Sequence, residues 1–184
     1  MTIHSGHPFA DAAGDRDPVR RLRGRLAGRV TLWTTGAAAD DPGRTGLTVS
    51  SVMVAGGDPG QVLGLIDPDS DLAVELSLGD VVAVSLLDWE HRKLADAFAG
   101  VTPAPGGPWR LADWTGTDRP PVPVGCSTYA LAEVVDLAEA GWSLLVRAAI
   151  RSVHVYSYAD DEDPLEELLH HRGRYRRLAP PGGA

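Results

Sequence analysis

At 184 residues the chain is long enough for one domain with a sizeable core and short for two. With 43% hydrophobic and 23% charged residues it has the profile of a soluble globular protein, and its net charge of −8 argues against a nucleic-acid binder, which needs surplus Lys and Arg to hold phosphates. Cys126 is alone, so no intrachain disulfide can form; no apolar run approaches the roughly eighteen residues of a membrane span, and the N-terminus lacks a secretory signal, so a cytoplasmic protein is expected.

Residues 1–16 are polar and aperiodic and read as a flexible arm, followed by one domain over 17–178 and a flexible tail over 179–184. From Asp17, DPVRRLRGRLAG has helix chemistry: Asp17 caps, Pro18 takes the first helical position, and Val19, Leu22 and Leu26 share a face before Gly28. RVTLWTTG alternates as a strand closed by Gly36. After the turn-rich AAADDPGRTG, LTVSSVMVA and QVLGLID read as two strands separated by GGDPG. SDLAVELSLG predicts a short helix capped by Ser70 or Asp71 and ending at Gly79. DVVAVSLLD reads as a strand buried on both faces, and WEHRKLADAFAG as a helix with Trp89, Leu94 and Phe98 inward and Gly100 as its stop.

Residues 101–125 make a long loop rich in Pro, Gly and Trp, a length usually associated with function or mobility. STYALAEVVDLAEAG and WSLLVRAAIRSVHVYSY predict two long strands turning at Glu139–Gly141. DEDPLEELLHHRGRYRRLAP predicts a short helix over Pro164–Leu169 and then a basic tail. Six or so strands with a few short helices make a mainly β protein, a small barrel with helical additions.

Four groups of residues could carry chemistry. Thr48, Ser50 and Ser51 place small hydroxyls beside backbone N–H groups, which suits a phosphate or the polar edge of a flat heterocycle; ordinary strand hydroxyls are the competing reading. Asp67, Ser70 and Asp71 open a helix where an anion could dock, or merely cap it. His91 and Arg92 stand on the first turn of the next helix, as phosphate contacts or as a solvated cationic face. In HHRGRYRRL, Arg174 and Tyr175 combine cation and aromatic ring, as a contact for a flavin or nicotinamide or as a solvated tail. The acidic run 160–163 and the His170–His171 pair lack a partner set, so no metal site is expected.

In this order the pieces resemble the flavin reductase-like family of FMN-binding split barrels, from Val19 to Leu178. GLTVSSVMVAGGDPGQVLGLID resembles its flavin-binding signature, LADAFAG its Leu-Ala-x-x-Phe-Ala-Gly helix, and GRYRRL its terminal Gly-x-Tyr-x-x-Leu element. The resemblance implies a split β-barrel with a few short helices and FMN as cofactor, FAD being possible. NADH or NADPH would be the electron donor, a monooxygenase component the partner, and a homodimer the assembly, with flavin at the interface.

Thr48, Val49, Ser50 and Ser51 would then line the isoalloxazine and ribityl chain, and Asp67, Ser70 and Asp71 would meet the flavin chain and phosphate. His91 would approach the phosphate with Arg92 as its charge partner, and Arg174 and Tyr175 would contact the flavin. Two places depart from the family pattern. Gly141-Trp142-Ser143 stands where nicotinamide users commonly carry Gly-Asp-His, and Ala55-Gly56-Gly57 stands where hydroxyls are usual. These departures keep two alternatives open: a deazaflavin-dependent oxidoreductase of the same fold, and a non-catalytic flavin-binding module.

Overall fold

The computed structural model describes residues 18–155 and 166–177. Its main sheet has seven strands in the order β3 (Gly46–Val49), β2 (Thr31–Thr34), β6 (Val81–Leu86), β9 (Thr128–Ala140), β10 (Ser143–Val155), β5 (Gln61–Ile66) and β4 (Val52–Ala55). All neighbours are antiparallel. β3 and β4 are the two opposite edges, yet only Ser50 and Ser51 join them. A flat sheet of this size would hold its edges about 29 Å apart, far beyond the reach of so short a link. The sheet therefore curls into a half-barrel, and its seam is Ser50–Ser51.

The barrel is filled by Trp33, Val49, Val62, Ile66, Val82, Val84, Val134 and Val146. A short helix, α2 (Asp71–Glu75), adds Leu72 to the same cluster, and Leu76, just past its end, joins it. Gly64 is required here: a Cβ at that position would come within 2.7 Å of the Trp33 indole. The other face of β2 covers a second core of Val30, Leu32, Leu87, Leu94, Phe98 and Leu168, closed by α3 (Arg92–Phe98). Lying between two cores explains why every residue of β2 is buried.

The loop over 101–125 has a packing role. Trp109 and Trp114 stand 4.7 Å apart, and both meet Phe98 edge-on, at 5.0 and 5.8 Å. The Trp114 indole N–H donates to the Trp109 carbonyl at 2.7 Å. Within this segment β7 (Trp114–Thr115) pairs with β8 (Val122–Pro123).

A three-stranded sheet of β1 (Gly28–Arg29), β11 (Leu169–His171) and β12 (Arg174–Arg176) lies beside the barrel. Arg29 ties it down by ion pairs to Asp88 at 2.7 Å and Glu167 at 2.6 Å.

Several elements differ from those expected. The helix expected to end at Gly79 ends at Glu75, and the expected basic tail forms the β11–β12 hairpin. LTVSSVMVA is two strands, because the chain crosses the seam at Ser50–Ser51. Leu169 begins a strand and not the end of a helix over Pro164–Leu169. The fully buried Leu168 donates its N–H to Leu87 and accepts from Val30, bonds that a helix would have turned upon itself; residues 164 and 165 lie outside the described residues. The first helix, α1 (Pro18–Arg23), stops five residues short of Gly28, and Val19, Leu22 and Leu26 are exposed instead of facing a core.

The long hairpin turns at Gly141–Trp142, close to where the sequence places it. Asp17, the arm 1–16, the acidic run 160–163, Leu178 and the tail 179–184 lie outside the described residues. No helix among the described residues is long and apolar enough to cross a membrane.

Candidate functional site

The seam gathers three of the four groups singled out in the sequence. Ser51 accepts the Leu65 N–H at 3.0 Å, which puts it against the end of β5 two residues before Asp67. On the other side, a Cβ on Gly28 would lie only 2.4 Å from the Ser50 carbonyl. A side chain at residue 28 would push the seam open, so glycine is needed for this approach. Gly28 pairs with His170 and His170 with Tyr175, so β11 is one strand and β12 two strands beyond the contact between Gly28 and Ser50.

Ser50 and Ser51 are half-buried, and among the described residues neither hydroxyl has a hydrogen-bond partner. Their neighbours are committed elsewhere. Thr48 donates its hydroxyl to the Ala95 carbonyl of α3 at 2.8 Å. Val49 faces the barrel core, and its carbonyl accepts the Thr31 hydroxyl at 2.7 Å. Hydroxyls on half-buried residues with no partner among the described residues are available to a polar ligand.

The Asp67–Asp71 segment is a turn that caps α2. Asp67 accepts the Asp69 N–H at 3.0 Å, the Ser70 hydroxyl donates to the Asp67 carbonyl at 2.6 Å, and the same hydroxyl oxygen accepts from Ala73 N–H at 3.2 Å. Asp71 is exposed. Ser70 is therefore the cap that the sequence offered as one of two choices.

His91 and Arg92 are drawn into a different cluster. The His91 ring is buried, and its Nδ1 accepts the Asp88 N–H at 3.2 Å. Arg92 donates to the Trp89 carbonyl at 3.0 Å and lies over the Trp89 ring, which Arg177 also covers, at 4.2 Å. Nothing in these contacts links either residue to the seam.

Tyr175 is half-buried against the second core. Burial, with Asp96 as hydrogen-bond acceptor and neighbouring charge, raises its pKa, so the phenol stays protonated. Arg174 is exposed on the same strand. His170 is held below its ordinary pKa, first by burial and then by the charges of Arg23 and His171. Its unfolded form therefore binds a proton more readily, and stability should rise with pH until the imidazole is neutral in both states. The midpoint of thermal unfolding is expected to drop as pH falls below about 6.5, and His170→Gln should flatten that slope.

A cleft of about 360 Å³ lies elsewhere, at the Thr35–Gly36 end of β2 and the C-terminal end of α2. Glu75, Asp80, Asp118 and Arg119 line it. This acid-rich cleft repels phosphate, whereas at the seam two hydroxyls have no partner among the described residues and the basic hairpin pairs with the strand that Ser50 touches. The seam is the better site for an anionic cofactor.

Gly28 and His170 belong to this corner and were not among the expected contacts. Gly28 reads in sequence as a helix stop, and no local signal shows that it abuts Ser50.

The fold and seam define a class of mainly β half-barrels with short helical additions. The chain belongs to the flavin reductase like domain family, whose model matches residues 23–179. No curated protein matches the sequence. Its fold is similar to that of an NADH:FAD oxidoreductase from Streptomyces globisporus C-1027, with a TM-score of 0.74, 24% identity, and coverage of 94% of this chain and 98% of the other. It is also similar to flavin reductase PheA2 (TM-score 0.70, 21% identity, 90% and 100% coverage). A third similar structure is BorF, the flavin reductase component of a bacterial two-component tryptophan halogenase (0.69, 20%, 89% and 99%).

Proposed function

We propose that the protein is an NAD(P)H-dependent flavin reductase that supplies reduced flavin to a monooxygenase or related oxidising component. The observation that carries this reading is the pair of half-buried serines at the barrel seam, Ser50 and Ser51, whose hydroxyls have no hydrogen-bond partner among the described residues. FMN is the expected cofactor, with FAD accepted. The seam hydroxyls would hold the polar edge or ribityl chain, and Arg174 with Tyr175 would offer charge and ring surface on the adjoining hairpin. Backbone groups of Thr48 and Val49 and the Asp67–Asp71 turn would border the ligand.

The bound flavin supplies the hydride acceptance; the protein binds it, orients it and shields one side from water. The family and the reductase activity of the fold's relatives support the same reading. One relative is known in complex with NAD and FAD fragments.

The assembly is proposed to be a homodimer in the cytoplasm. β4 is an edge strand whose Met53 and Val54 are 67% and 71% exposed, and an unpaired apolar edge invites a second copy. Gly141-Trp142-Ser143 favours one second reading, a donor other than a nicotinamide, such as a deazaflavin.

Fluorescence titration with FMN and FAD, followed by steady-state oxidation of NADH and NADPH with each flavin, tests the proposal. Micromolar flavin binding with turnover of either donor is expected. Flavin binding without turnover would favour the second reading, and no binding would overturn the site.

A further inference from the structure

Among the described residues, the most exposed large apolar side chain is Trp142, at 91%. It occupies the second position of the turn between β9 and β10, after Gly141 with φ 62. Such hairpin turns are set by the glycine, and nothing in the turn calls for an indole. Ile66 pairs with Leu144, so Asp67 leaves the sheet one strand away from this turn. Leu65 lies between Ser51 and Leu145 in the ladder. Two strand spacings across and three residues along place Trp142 about 14 Å from Ser51. A ligand held at the seam and projecting towards this hairpin would meet the indole.

The nearby charges decide what part of a ligand this could be. Asp67 and Asp69 stand on the adjoining turn and Glu139 near the end of β9, so a phosphate at the hairpin tip would meet carboxylates and be repelled. A neutral planar base would not be. Resting on the flavin reading above, we propose that Trp142 is the stacking surface for the adenine of a dinucleotide, and so favours adenine-bearing ligands over FMN. That adenine could belong to FAD or to the nicotinamide donor. Stacking of one base on an aromatic ring changes affinity by about five- to a hundredfold.

The test measures dissociation constants of FMN, FAD, NADH and AMP for wild type, Trp142→Phe and Trp142→Ala, with a thermal melt of each. The melts should coincide, because the side chain is exposed. Trp142→Ala is expected to weaken FAD, or NADH and AMP, at least fivefold while FMN stays unchanged, with Trp142→Phe between. A loss confined to FAD assigns the adenine to the flavin, and one confined to NADH and AMP assigns it to the donor. Unchanged affinity for all four ligands, or an equal loss for FMN, overturns the proposal. FMN binding by wild type reads the seam independently of Trp142, so failure there counts against the flavin site itself.

Discussion

The Ser50→Ala, Ser51→Ala double variant is expected to bind FMN roughly tenfold to a few hundredfold more weakly than wild type, while its apoprotein melts as before. Each lost hydrogen bond to a neutral group costs about 0.5–1.5 kcal/mol, and one to a phosphate about 1.5–3. The seam explains why binding and stability should separate. Neither hydroxyl supports the fold, since neither has a partner among the described residues. The backbone supplies the closure, through the Ser51 carbonyl to Leu65 and the contact of Ser50 with Gly28. Titration of FMN into both proteins, beside a melt of each apoprotein, checks the result. Equal affinities would return these hydroxyls to plain strand surface.

Trp33→Ala is expected to cost about 3–5 kcal/mol of stability, as large-to-small changes at buried aromatics do. The indole is fully buried in the barrel core and fills the space left by Gly64. It is also wired to the seam: its N–H donates to the Thr31 hydroxyl at 3.1 Å, and that hydroxyl donates to the Val49 carbonyl, one residue before Ser50. Losing the ring would leave a cavity and loosen the strand that presents the seam. The complementary change, Gly64→Ala, forces a methyl against the ring and should cost about 1–3 kcal/mol. Urea unfolding of both variants measures these losses; a change below about 0.5 kcal/mol for Trp33→Ala would show that the barrel interior is not held by this side chain.

Much of the architecture was legible because each signal was local. The long strand in WSLLVRAAIRSVHV, the turn glycine at 141 and the Ser70 cap depend on neighbours along the chain, and the structure realises them. The barrel closure was not legible locally. LTVSSVMVA has the pattern of one strand, and only the pairing of β3 with β2 and of β4 with β5 divides it at the two serines.

The same limit applies to the last hairpin. Pro164–Leu169 carries helical residue types, but Leu168 is claimed by Val30 and Leu87, both far away in sequence, and tertiary packing overrides propensity. At the site, residue types pointed to Thr48, Ser50, Ser51, Ser70 and His91 alike. Which of them keep a free hydrogen-bonding group depends on Ala95, Asp67 and Asp88, and no spacing reveals those partners.

Flavin held by this chain should accept electrons from a nicotinamide. Anaerobic stopped-flow mixing of the flavin-loaded protein with NADH or NADPH tests it most directly. Bleaching of the flavin's visible absorption by at least one donor, faster than with free flavin, is expected. Flavin that binds but stays oxidised with both donors would contradict it.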